Sequence, residues 1–165
     1  MMKIGIFYGS SGGNTKSVAE RIAMKLGVGE SDVRDVSKAV AADLSGYDLL
    51  LLGSSTMGSG DLQDDWESFI SIVATADLSG KKTALFGCGN SKYHPDTFCG
   101  ALGVIYNTIK DKTAVVGFTD TKGYTFDTSG SVLNNKFVGL PLDEDNESEL
   151  TESRIDAWIK LIVNC

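Results

Sequence analysis

The 165 residues make one ordinary domain, and 42% hydrophobic with 22% charged residues is a globular composition that excludes collagenous, coiled-coil and disordered readings. Lys and Arg number 15 against 22 Asp and Glu, a net charge of −7 that argues against nucleic acid and anionic membranes and favours basic partners. A core of this size holds a cofactor without disulfide or metal staples, so residues 1–165 are read as a single domain.

Lys3 to Tyr8 (KIGIFY) opens the chain with a nearly continuous apolar run, as a central strand covered on both faces requires. Gly9-Ser10-Ser11-Gly12-Gly13-Asn14-Thr15 follows, and a helical pattern from Thr15 to Leu26 places Val18, Ala19, Ile22, Ala23 and Leu26 on one face. Gly27 and Gly29 suit its end. Asp32 to Val36 and Asp48 to Gly53 (DLLLLG) read as the next two strands. The third strand runs into Gly53-Ser54-Ser55-Thr56-Met57-Gly58-Ser59-Gly60-Asp61, then a helix over Leu62 to Ala76 with Trp66, Phe69, Ile70 and Val73 inward. Both Trp66 and Trp158 sit at helical spacing among apolar neighbours and read as packing residues.

Thr83 to Gly87 is the fourth strand, ending in Gly87-Cys88-Gly89-Asn90-Ser91-Lys92-Tyr93-His94, with a helix over Phe98 to Ile109 behind it. Thr113 to Phe118 is the fifth. From Thr119 to Glu149 Gly, Ser, Thr and Asn surround strand-like patches at Tyr124 to Phe126 and Lys136 to Leu142, so this stretch reads as an excursion that interrupts the fifth strand. A helix over Glu152 to Val163, with hydroxyl residues at its start, closes the chain. Alternating strands and helices predict an open parallel sheet with right-handed crossovers and helices on both faces.

Cys88, Cys99 and Cys165 form an odd set without CxxC spacing, and the one histidine, His94, cannot complete a Cys/His metal cluster. The N-terminal apolar stretch is too short for a signal sequence, and no later run approaches a membrane span, so a cytoplasmic protein with reduced thiols is expected. The loop Ser10 to Thr15 collects hydroxyls, small residues and the free N–H groups of a helix start, which suits a phosphate. It lacks Gly-Lys-Ser/Thr and G-x-G-x-x-G, and its neighbouring cation, Lys16, is already inside the helix, so its donors are mainly neutral. In an open α/β sheet the loops after the first, third and fourth strands share one edge and can surround a single ligand.

FYGSSGGNT resembles the phosphate loop of the flavodoxin family, usually T/S-x-T-G-x-T, and GDLQDDWESF, then GCGN followed by FCGALG, resemble that family's next segments. KGYTF through KFVGLPLDEDN is similar to the insertion of its long-chain type, so the resemblance covers essentially the whole chain. It implies the doubly wound five-stranded order 2-1-3-4-5, for which flavodoxin itself is a standing example. It also implies FMN as cofactor, with Ser10, Ser11, Gly12, Gly13, Asn14 and Thr15 on the phosphate and Ser55, Thr56, Met57, Gly58, Gly60, Cys88, Gly89, Asn90, Tyr93, His94 and Cys99 about the flavin.

Gly12 departs from the usual Thr, a missing hydroxyl donor worth on the order of 1 to 2 kcal/mol. Met57 stands where many relatives carry Trp against the inner flavin face, and a polarizable thioether can lie on an aromatic ring. In the family the peptide at this position turns its carbonyl toward flavin N5 on one-electron reduction, and Gly58, without a Cβ, permits both orientations, which by that resemblance favours the neutral semiquinone. Asn90 replaces the family's usual Asp. An ungapped frame anchored on Gly87-Cys88-Gly89 and Phe98-Cys99 puts His94 where the family stacks Tyr on the outer face, while a shift of one residue puts Tyr93 there; the ungapped frame is preferred.

The implied function is a low-potential one-electron carrier, not an enzyme, shuttling between flavodoxin/ferredoxin reductases and acceptor oxidoreductases as a monomer. The alternative is an FMN-dependent NAD(P)H or quinone reductase, for which this chain offers no evident nicotinamide site. A phosphorylated receiver of the same topology needs acidic residues at the end of the first strand, where Phe7, Tyr8, Gly9 and Ser10 stand instead. Asp61, Asp64 and Asp65 with Asp143, Glu144, Asp145, Glu147 and Glu149 read as a solvated acidic face, the first three suited to steering basic partners.

Overall fold

A computed structural model describes residues 2–165. In chain order it forms β1 (Ile4–Gly9), α1 (Asn14–Leu26), β2 (Val33–Asp35), β3 (Leu49–Ser54), β4 (Thr56–Met57), β5 (Asp61–Leu62) and α2 (Asp64–Thr75). Then come β6 (Lys82–Cys88), α3 (Ala101–Ile109), β7 (Ala114–Val116), β8 (Thr119–Asp120), β9 (Val132–Leu133), β10 (Lys136–Phe137), β11 (Leu140–Leu142) and α4 (Ser148–Val163). The main sheet is parallel, in the order β2-β1-β3-β6, with β7 and β11 both on the outer side of β6.

β7 pairs with Lys82 to Ala84 and β11 with Phe86 to Cys88, so these two pieces are one fifth strand, cut in the middle. The expected 2-1-3-4-5 order and interrupted fifth strand are therefore present. The interruption is shorter than the sequence suggests. It ends at Gly139, and Leu140-Pro141-Leu142, read from sequence as part of the excursion, returns to the main sheet. A proline within a three-residue run obscures a strand, yet at a sheet edge its missing N–H costs nothing.

Side chains alternate along each central strand, and both faces are covered. Phe7, Leu50, Leu52 and Leu85 face α2 and α3, packing with Trp66, Phe69, Leu102 and Ile105. Ile6, Leu49, Leu51 and Phe86 face α1 and α4, packing with Val18, Ile22, Ile155 and Trp158. Each such fully buried Leu or Ile contributes about 1.5–3 kcal/mol. The expected packing role of both tryptophans holds, and each indole also secures a strand end: Trp66 Nε1 donates to Gly53 O (2.7 Å) and Trp158 Nε1 to Gly117 O (2.9 Å).

The interrupting segment carries the small antiparallel sheet β8-β10-β9 and its own core, Phe137 with Tyr124, Phe126 and Val132, packed on Phe98 and Cys99. Its Asp127 N–H donates to Pro95 O (2.7 Å), so it grips the chain just beyond His94. α4 begins four residues before the expected start, at Ser148. Thr151, which looks like a cap in the sequence, is inside the first turn, where its buried hydroxyl donates to Glu144. No helix among the described residues is long and apolar enough to cross a membrane.

Candidate functional site

The loops after β1, β3 and β6 open on a cleft of about 180 Å³. Ser10, Ser11, Gly12, Asn14 and Thr15 line it from the first loop, Ser55, Thr56 and Met57 from the second, and Cys88, Gly89, Asn90 and His94 from the third. Asp145, from the turn after β11, completes the wall.

Gly13 enters α1 with φ of 96°, a backbone region open to glycine but strained for other residues, and its N–H donates to Ser10 Oγ (3.1 Å). No side chain caps α1 and no acidic residue lies in its first turn, so nothing on the helix itself offsets the positive end of its dipole, which faces the cleft. Beside it Thr15 is fully buried and its Oγ1 has no hydrogen-bond partner; the Ser55 Oγ across the cleft is likewise buried and unpaired. An unsatisfied buried hydroxyl costs about 1–3 kcal/mol. Orphaned donors around a free helix start fit a phosphate group, which would satisfy them together.

Gln63 supports this loop from below. Its side chain is buried, its Nε2 donates to Ser11 Oγ (3.1 Å) and Asp65 Oδ2 (2.9 Å), and its Oε1 accepts Asp65 N at the start of α2. The second loop turns at Gly58, with φ of 50°, and leaves Met57 about a third exposed beside the cleft. Thr56 Oγ1 accepts the Ala101 amide (3.1 Å), tying this loop to the start of α3.

In the third loop Asn90 Oδ1 accepts the amides of Lys92 (3.1 Å) and Tyr93 (3.0 Å), and Asn90 O accepts that of His94 (2.9 Å). This turn directs His94 to the cleft and leaves Tyr93 79% exposed and outside its lining. At Gly89 a Cβ would stand 2.8 Å from Cys99 Sγ, so glycine is what lets the chain pass there. Burial pushes the Cys88 thiol up to about 12 and the Cys99 thiol well above its ordinary value, so both stay protonated. Gly13, Gly58, Gly60, Tyr93 and Cys99 stand off the cleft lining: Gly60 packs against Thr97 and Gly100, and Cys99 lies fully buried beneath the third loop.

The acidic segment after β11 corrects the sequence reading of a solvated face in part: Asp145 and Glu149 are exposed as expected, while the other three carboxylates are buried or paired. Asp143 is fully buried and Glu147 is paired with Arg154 (3.1 Å). Glu144 accepts Arg21 (2.9 Å), and Asp145 accepts Asn14 Nδ2 (3.3 Å) and Asn90 Nδ2 (3.4 Å) across the mouth of the cleft. Burial raises the Asp143 carboxyl, but hydrogen bonds from Ser91 and Asn146 outweigh that and hold it below its ordinary value. Asp143 turns inward because donors from Ser91 in the third loop and from Asn146 in its own turn meet it there. Sequence reasoning missed Gln63, Asp143 and Asp145 as site residues. Gln63 carried a signal, as the residue before the acidic first turn of a helix; the two aspartates carried none, because the third-loop residues that meet them, Ser91 and Asn90, lie more than 50 residues away.

The family model described as Flavodoxin matches residues 6–158. The flavodoxin of a Synechocystis strain is 44% identical over 165 residues, covering 98% of this chain and 96% of the relative. Flavodoxin 1 of Salmonella typhimurium is 43% identical over 160 residues, covering 96% and 91%. Among solved structures, the Fusobacterium nucleatum flavodoxin bound to flavin mononucleotide superposes with a TM-score of 0.88 at 32% identity, covering 97% of this chain and 96% of that one.

Proposed function

We propose, since this chain belongs to the flavodoxin family, that it is an electron-transfer protein which binds FMN noncovalently in the cleft and carries one electron at a time at low potential. The observation that carries this reading is the pair formed by the uncapped start of α1 and the buried, unpaired Thr15 hydroxyl. FMN supplies the redox chemistry; the chain binds, orients and shields it. Ser10, Ser11, Asn14, Thr15 and the amides of Gly12 and Gly13 hold the phosphate with neutral donors. Met57 and His94 line the cleft and Tyr93 does not, so Met57 would cover the inner face of the ring and His94 the outer. The backbone at Gly58 and Gly60 and the amides near Cys88, Gly89 and Cys99 border the ring.

Reconstitution of the apoprotein with FMN, riboflavin and FAD tests the cofactor, and equal affinity for riboflavin and FMN would overturn the phosphate site. Stepwise reduction tests the carrier role: a distinct one-electron stage in the visible spectrum supports it, whereas direct two-electron bleaching by NAD(P)H alone would reveal a reductase.

The partners are basic redox proteins, a reductase on one side and acceptor oxidoreductases on the other, met in the cytoplasm by a monomer. Asp61 and Asp64 are exposed beside the second loop, and the net charge is −7. Electron transfer with a basic reductase therefore slows as salt rises, because the screening length is only about 10 Å at 0.1 M. Stopped-flow rates that stay flat between low and moderate ionic strength would count against electrostatic docking.

A further inference from the structure

Asp143 is the first residue after β11, fully buried, and absent from the surface of the cleft. Its Oδ2 accepts Ser91 N (3.0 Å) and Ser91 Oγ (2.5 Å), and its Oδ1 accepts Asn146 N (3.0 Å). The Asn146 amide nitrogen lies 3.1 and 3.0 Å from the two carboxylate oxygens and 2.8 Å from Asn90 Oδ1. Every one of these partners can donate, and an ionised carboxylate only accepts. A carboxamide of the same shape would turn an NH2 group against a backbone N–H whichever way it was flipped. Removing a buried charge from water is expensive unless such donors meet it, so this position is built for a carboxylate.

These bonds end on the third loop, at Ser91 and at its neighbour Asn90, which lines the cleft. Ser91 is held directly, and Asn90 is held through Asn146. Asn90 in turn fixes the amides of Lys92, Tyr93 and His94. The register of β11 on β6 pairs Leu142 with Cys88, and Gly89 N donates to Leu142 O (2.9 Å), which sets Asp143 level with the start of this loop. The chain's return from the excursion thus delivers a charge to the underside of the flavin loop.

We propose that Asp143 is a positioning residue for the cofactor: through Ser91 and Asn146 it holds Asn90 and His94 where they meet the flavin, and its buried negative charge makes the bound flavin harder to reduce. This rests on the FMN reading above.

The test compares wild type, Asp143→Asn and Ser91→Ala, each as apoprotein and loaded with FMN. Asp143→Asn should bind FMN about tenfold more weakly, expose the Ser91 amide to faster hydrogen exchange in the apoprotein, and make the flavin's potentials less negative. Ser91→Ala keeps both the charge and the backbone bond, so affinity falls about threefold and the potentials stay. A merely structural role lowers thermal stability and leaves the potentials unmoved, which would overturn the proposal. So would wild-type affinity, potentials and Ser91 protection in Asp143→Asn. Should that variant not fold, unchanged FMN affinity in Ser91→Ala overturns it. Failure of the wild type to bind FMN would instead refute the cofactor reading, and Ser91 exchange in the apoproteins would still decide whether Asp143 holds the loop.

Discussion

The phosphate end and the flavin end of the cleft are built in opposite ways. Ser10 to Thr15 form a contiguous loop on a strand-to-helix junction, with a glycine at positive φ, a free helix start and neutral donors. The third loop gets its shape from Asn90 but its anchorage from Asp143 and Asn146, more than 50 residues further along. The first region is local and carries unsatisfied donors waiting for a ligand. The second is assembled by the sheet and is already satisfied within the protein. One end therefore gains hydrogen bonds when ligand arrives, while the other supplies a rigid shape.

The largest effect that could break this contrast lies at Thr15. Thr15→Val keeps the volume but removes the orphaned hydroxyl, so FMN should bind about 10 to 100 times more weakly, as for a lost bond to a charged group, while riboflavin affinity stays constant. The apoprotein should lose little stability, since the one group that hydroxyl approaches is the weakly bonding Cys88 thiol. Parallel fluorescence titrations with the two flavins decide it, and equal losses would mean that Thr15 merely packs.

Gly12 sharpens the same contrast in the other direction. A Cβ there meets nothing within 4 Å, and its φ is not in the positive region, so a side chain fits without strain. Gly12→Thr should tighten FMN by up to about tenfold, roughly 1.4 kcal/mol, by adding a donor to a loop that has room for it. Weaker binding would show that the loop must change conformation around the phosphate.

At the flavin end the expected effects are electrostatic and smaller. With His94 lining the cleft, replacing its polar ring by an apolar one should shift the flavin's potentials, whereas Tyr93, exposed outside the cleft, should be replaceable without effect. Potentiometric titrations of His94→Phe and Tyr93→Ala should therefore separate the two residues. Potentials that move only in Tyr93→Ala would return the stacking role to Tyr93.

The smallest effect is on the apoprotein in acid. The Asp143 carboxyl sits below its ordinary value of 3.8 in the folded state, so its contribution to stability is fully present above that value and is lost as pH falls through the lowered one. Urea unfolding of wild type and Asp143→Asn should differ at about pH 5 and converge toward pH 2.5. A gap that stays constant through that range would mean that the carboxylate is not held ionised by Ser91 and Asn146.

The strands, their parallel order and the phosphate loop were legible in the sequence because each is encoded by neighbours. Apolar runs such as DLLLLG announce strands covered on both faces, and a Gly/Ser loop before an uncapped helix announces an anion site whatever surrounds it. The choice between Tyr93 and His94 was not legible, because it depends on a turn closed by Asn90 and secured by Asn146 from another strand end.

What the sequence by itself determined is thus the set of elements, their order in the sheet and the strand-to-helix loop that opens on the cleft. The tertiary structure alone decided that Leu140-Pro141-Leu142 rejoins the sheet, that DEDN turns its first carboxylate inward and its third across the cleft mouth, and that His94 faces the ligand space. The physical reason is sequence distance. Propensity, periodicity and helix ends act over a few residues, whereas the burial of a carboxylate depends on donors that only the register of β11 against β6 brings to it.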